Sequence, residues 1–104
     1  MITTHVLDTA AGCPARGLTV ELEHLDTGVW HSIGAGTTDA DGRLRTLTPA
    51  GPVAPGTYRI RFQTASLSAF FPVVEIYFAI EDGEQHYHVP LLLSPYGYST
   101  YRGS

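Results

Sequence analysis

Apolar and polar residues alternate along this chain in short bursts, and each burst ends in glycine, proline or aspartate. In residues 2–8, Ile2, Thr4 and Val6 fall on one side and Thr3, His5 and Leu7 on the other, the two-residue period of a strand. Residues 18–25 repeat the pattern, with Leu18, Val20 and Leu22 opposed to Thr19, Glu21 and Glu23. It returns in 57–63, where Tyr58, Ile60 and Phe62 point inward and Arg59, Arg61 and Gln63 outward, and in Val73–Ile80. Between these bursts, Asp8–Gly17 reads as a turn. Asp26-Thr27-Gly28 reads as a hairpin turn into a short strand, Val29–Ile33, that Gly34 to Gly36 breaks. Thr38-Asp39-Ala40-Asp41-Gly42-Arg43 is an Asp-Gly turn launching a short strand to Leu47. It is no calcium loop, because its glycine comes too early and no glutamate closes twelve residues.

A loop at 49–56 and an ambiguous stretch at 64–72 follow. In the latter, Ser66–Phe71 could form one helical turn, stopped by Pro72. Glu81-Asp82-Gly83 turns into Glu84–Leu93, and Gly97–Tyr101 closes the series. About eight short strands at this spacing predict an all-β sandwich of two antiparallel sheets with at most one short helix, as a single domain over residues 1–104. Pro90 lacks a backbone donor, which points to an edge strand or a bulge for 84–93. Leu91-Leu92-Leu93 cannot all face one core, so at least one leucine should meet another surface, a hint of subunit pairing.

Composition narrows the classes. The chain has 104 residues, 43% apolar and 15% charged, with 11 glycines and 7 prolines, a turn-rich globule and not a disordered chain. No apolar run approaches the ~20 residues of a membrane span, and Met1–His5 shows no secretory signal, so the expected location is cytoplasmic, with no membrane partner. Cys13 is the only cysteine and sits in turn-like sequence. All six basic residues are arginine, which removes lysine nucleophiles and the phosphate-binding P-loop. A net charge of −4 without a basic cluster argues against nucleic acid.

Chemistry concentrates near the C-terminus. His86 and His88 lie two apart on a strand and project from one face, with Tyr87 and Val89 turned to the core. His5 stands on the alternating strand at the other end of the chain. Three such histidines admit a zinc site, metal-free acid–base hydrolysis, or ordinary surface and hydrogen-bonded roles. No nucleophile elbow supports a serine triad. Three tyrosines in the last nine residues suggest a docked tail.

The run His5-Val6-Leu7-Asp8 through Val20, and the run Tyr87 through Tyr101 with its Leu-Leu-Leu-Ser-Pro-Tyr-Gly-Tyr-Ser-Thr centre, resemble the two terminal motifs of the transthyretin superfamily. Thr38–Arg43 fits between them. The ending Tyr101-Arg102-Gly103-Ser104, with His5 and His88, resembles the 5-hydroxyisourate hydrolases and not the thyroid-hormone carriers. The resemblance implies a sandwich of two four-stranded sheets assembled as a homotetramer, a dimer of dimers with its active sites in the channel between dimers. It implies hydrolysis of the cyclic amide of 5-hydroxyisourate to 2-oxo-4-hydroxy-4-carboxy-5-ureidoimidazoline in urate catabolism, with no cofactor and no metal. Small-ligand binding of the transthyretin kind is the alternative. Carried over by position, the resemblance implies His5, Arg43, His88 and Ser104 as catalytic. It implies His5, Arg43 and Tyr101 as substrate-binding. His86 would act behind His88, and which histidine is the base stays open.

Overall fold

Nine strands build the computed structural model, which describes residues 1–103: β1 (Ile2–Asp8), β2 (Cys13–Pro14), β3 (Thr19–Asp26), β4 (Val29–Thr37), β5 (Arg43–Leu44), β6 (Gly56–Gln63), β7 (Val73–Ile80), β8 (Tyr87–Ser94) and β9 (Gly97–Thr100). One sheet runs β2-β1-β8-β9, with the two-residue β5 also on β1, and the other runs β4-β3-β6-β7. The alternation read from sequence sets which side of each strand is covered. Val20, Leu22, Ile60 and Phe62 from one sheet, with Val6, Leu91 and Leu93 from the other, are fully buried between them. Burying such side chains yields ~1.5–3 kcal/mol each, so the inner faces hold the sandwich together.

The all-β sandwich expected from the pattern is the one found, with several differences of detail. Among the described residues there is no helix. Residues 64–72 form a loop in which the Ser68 amide donates to Thr64 O at 2.9 Å and the Thr64 amide to Pro72 O at 2.9 Å. Gly34–Gly36 does not break β4, which runs through to Thr37. A Cβ at Gly34 would lie 1.8 Å from Leu47 O, and one at Gly36 would lie 3.0 Å from a Leu44 methyl. These glycines are therefore present because the 44–47 segment passes directly over the strand, not because the strand stops. The segment after Arg43 pairs only through Leu44, shorter than expected. The turn at 26–29 is as predicted, with Thr27 at φ 49° and Gly28 at φ 78°, the two left-handed residues of a tight hairpin.

Pro90 is not on an edge. β8 lies between β1 and β9, and its pairing with β1 is parallel, the one parallel strand pair among the described residues. The missing donor is accommodated by a lapse in the ladder. β9 pairs with Leu91–Ser94, skips Pro90 and Val89, and the tail pairs again only where the Gly103 amide donates to His88 O at 2.8 Å. Of the three leucines, Leu91 and Leu93 are buried and Leu92 faces outward, as the broken alternation required. Among the described residues no helix is long and apolar enough to cross a membrane.

Candidate active site

The turn before β5 positions the first functional side chain. Asp39 Oδ1 accepts from the amides of Asp41 (2.9 Å) and Arg43 (3.0 Å), and the amide of Gly42, at φ 73°, donates to Asp39 O. A Cβ on Gly42 would stand 2.4 Å from Val6 O, so only glycine lets this turn press against β1. The hydrogen bond from Arg43 is the main reason the Asp39 carboxyl is held below its ordinary range. The turn delivers Arg43 opposite His5 on β1. On the other side of β1, the parallel register sets Thr3 opposite His88 and His5 opposite Pro90. His5, Arg43 and His88 thus share the outward face of the five-stranded sheet.

Thr3 joins the two C-terminal histidines. Its Oγ1 lies 2.7 Å from His86 Nε2 and 2.8 Å from His88 Nδ1. The pKa of His88 is lowered, first by burial and then by Arg43, His5 and His86, so at neutral pH its ring is uncharged. His5 Nε2 is the one buried side-chain nitrogen or oxygen among the described residues that lacks a hydrogen-bond partner. Gly103 packs on the His88 ring, where a Cβ would approach Cδ2 to 2.6 Å. A cleft of about 180 Å³ is lined by Met1, Thr3, Arg43, Arg45, His86 and His88. Among the described residues no three His, Cys, Asp or Glu side chains are grouped as a metal site would require.

A larger groove, about 450 Å³, opens between β7 and the β8–β9 side of the other sheet, lined in part by Ile76, Phe78, Tyr87, Tyr101 and Arg102. Its size does not make it the reaction site, because none of the histidines lines it. Arg102 spans its rim, its guanidinium 4.3 Å from the Tyr87 ring centre and donating to Gln85 Oε1 at 2.7 Å.

The structure therefore gathers His5, Arg43, His86 and His88, and puts Tyr101 apart from them, 59% exposed beside the larger groove. Ser104 lies outside the described residues. The tail is docked by backbone at Gly103, but its tyrosines are not packed away: Tyr96 is 81% exposed and Tyr98 44%. Cys13 is exposed in β2. The other two histidines belong to the opposite sheet, His24 stacked on Tyr58 at 4.5 Å and His31 exposed. Arg59 and Arg61, also on that sheet, are engaged by Glu23, Glu21 and Glu75 and are not free to bind an anion. Sequence reading missed Thr3, Arg45 and Gly103. Thr3 carries a visible signal, since it alternates onto the same face as His5, but its two partners emerge only from the parallel register.

Residues 2–103 match the HIUase/Transthyretin family. A 5-hydroxyisourate hydrolase of Salmonella dublin is 46% identical over 110 residues, covering 100% of this chain and 81% of the relative. The solved 5-hydroxyisourate hydrolase of Klebsiella pneumoniae superposes with a TM-score of 0.83 at 35% identity, covering 99% and 98% of the two chains. Sea bream transthyretin in complex with thyroxine superposes with a TM-score of 0.88 at 30% identity, covering 98% and 93%.

Proposed function

This chain belongs to the HIUase/transthyretin family, and on that premise we propose that it is a 5-hydroxyisourate hydrolase, opening the six-membered ring of that product of urate oxidation by hydrolysis of its cyclic amide. The observation that carries the reading is His88 beside Arg43 and His5 on one outward sheet face, with burial the first cause that lowers the His88 pKa. Hydrolysis of an amide needs a base to take a proton from water, a cation for the charge that develops on the carbonyl oxygen, and a proton for the departing nitrogen.

His88 is suited to the first task. Burial and its cationic neighbours keep it neutral, so it holds a lone pair at pH 7. Arg43 supplies the second, its planar fork matching a flat anionic heterocycle. His5, on the same face, binds the ring, and His88, once it has taken the proton from water, hands over the third. His86 acts behind His88 through Thr3. Tyr101 and Ser104 complete the substrate contacts in the assembled protein. That assembly is a homotetramer, a dimer of dimers, in which the outward face bearing Leu92 and His5 is covered by neighbouring subunits, and the enzyme works in the cytoplasm without a cofactor. The half-buried Leu92, on the same outward face as His5, supports an intersubunit position.

Ligand binding without catalysis is the second reading. The TM-score of 0.88 to a thyroxine complex favours it, because the backbone alone does not separate carrier from enzyme. A spectroscopic assay separates them. With urate freshly oxidised in the cuvette, the hydrolase reading expects the transient absorbance of 5-hydroxyisourate to disappear faster with the protein than without it. Equal rates would leave only the binding module.

A further inference from the structure

The site contains a connection that acid–base hydrolysis does not by itself require. His86 and His88 stand with ring centres 6.4 Å apart, too far for one ring nitrogen to bond the other directly. Thr3 Oγ1 closes the gap with two short contacts, to His86 Nε2 at 2.7 Å and to His88 Nδ1 at 2.8 Å. Thr3 is only 4% exposed, so water scarcely competes for its hydroxyl, and its branched side chain has few rotamers in which to turn away.

A hydroxyl has one proton to donate. If Thr3 donates to His88 Nδ1, then His86 donates to Thr3 and His88 carries its proton on Nε2, where it serves as an acid. If Thr3 donates to His86 Nε2, then His88 donates from Nδ1 and its Nε2 lone pair is free, where it serves as a base. The two rings are therefore not independent: the single hydroxyl proton ties their tautomers together.

We propose that Thr3 is a positioning residue that couples His86 to His88 as a proton relay, setting the His88 tautomer and passing its charge to His86. The step balances as follows. Water gives a proton to His88 Nε2 as its oxygen attacks the carbonyl, His88 Nδ1 gives its proton to Thr3 Oγ1, and the Thr3 proton passes to His86 Nε2. His88 stays neutral throughout, His86 becomes the imidazolium, and the negative charge rests on the attacked oxygen beside Arg43. When the carbon–nitrogen bond breaks, His88 Nε2–H protonates the nitrogen, and the chain runs back from His86 to Thr3 to His88.

Charge explains why such a relay is useful. His88 faces His5 from β1, Arg43 from β5 and His86 from its own segment, so an imidazolium there is opposed from three sides as well as by burial. His86 is exposed; it shares one cleft with Met1, Arg43 and Arg45 and a second, more open one with Gln85, Arg102 and Gly103, so the cations near it are met by solvent that His88 lacks. Water there solvates the cation that His88 would hold poorly.

The proposal rests on the hydrolase reading, and its test separates the two. Thr3→Val keeps the branched shape a strand favours and removes only the hydroxyl, whereas Thr3→Ser restores it. Turnover in Thr3→Val should fall about tenfold or more with KM within about twofold of wild type, and Thr3→Ser should recover to within about threefold. A second readout needs no substrate. In long-range ¹H–¹⁵N spectra of the wild type, protonating His86 should shift the ring nitrogens of His88 at the same midpoint, and in Thr3→Val this imprint should vanish. A wild type with no hydrolase activity overturns the functional reading and leaves the spectra to decide the coupling. An active Thr3→Val with unchanged kcat, or wild-type spectra in which His86 titrates without marking His88, overturns the relay.

Discussion

Replacing Gly103 by alanine tests how the tail bears on the site. The added Cβ would meet His88 Cδ2 at 2.6 Å and its Cβ and Cγ at 3.3 Å, where carbon atoms prefer about 3.5–4.0 Å. One side must yield by roughly 1 Å. His88 is held by its β8 backbone and by Thr3, whereas the tail beyond β9 is held by the Gly103–His88 backbone bond and by Arg102 on Tyr87 and Gln85. The tail gives way. Its backbone hydrogen bond is worth ~1 kcal/mol and an exposed arginine–aromatic contact ~0.5–1 kcal/mol. The expected loss is therefore about 1–2 kcal/mol, or a fall in Tm of several degrees for a domain of this size. A displacement of ~1 Å beside reacting groups can cost ~10² in rate, so kcat/KM should suffer far more than stability. Gly97→Ala is the control, because its Cβ would meet only Ser94 Oγ at an ordinary 3.5 Å. Thermal denaturation and hydroxyisourate progress curves measure both quantities. Wild-type Tm and wild-type kcat/KM in Gly103→Ala would refute the reasoning.

Three further outcomes follow from the same geometry. Gly34→Ala forces a Cβ to within 1.8 Å of Leu47 O, and should cost ~3 kcal/mol or more; a denaturant midpoint equal to wild type would contradict the crossing of 44–47 over β4. His88 should titrate below the ordinary histidine value of 6.5, so the acid limb of kcat/KM lies below that pH and activity is lost as pH falls through it. The same depressed value makes His88 favour the folded state above the unfolded pKa and weaken it as pH falls, the sign for a group that binds more protons when unfolded. In Arg43→Gln the NMR midpoint of His88 should rise but remain below 6.5, because burial, the larger cause, is untouched; an unchanged midpoint would mean Arg43 does not face that ring.

How much was legible in sequence depended on whether the information was local. Strict alternation fixes a strand's two faces from its own residues, which is why Val20 and Leu22, or Ile60 and Phe62, were readable as core. Gly34 and Gly36 were misread because the reason for them lies in Leu44 and Leu47, a separate segment that needs the space. Pro90 was misread for the same kind of reason: a lapse in a ladder with β9 accommodates it, and no property of residues 84–93 announces that lapse. At the site, two histidines at i and i+2 were visible as sharing a face, but their link to His5 depends on a parallel pairing across more than eighty residues. Arg43 became locatable only with its Asp39 turn, and Tyr101 stands away from the histidines within the single chain.

The central claim is that His88 and Arg43 act together on 5-hydroxyisourate, and parallel progress curves of the wild type, His88→Asn and Arg43→Ala on freshly generated substrate test it most directly. The account predicts rapid decay of the absorbance with wild type, with each variant folded but slower by ~10²-fold or more. Decay at the wild-type rate with either variant, or at the spontaneous rate with the wild type, would contradict it.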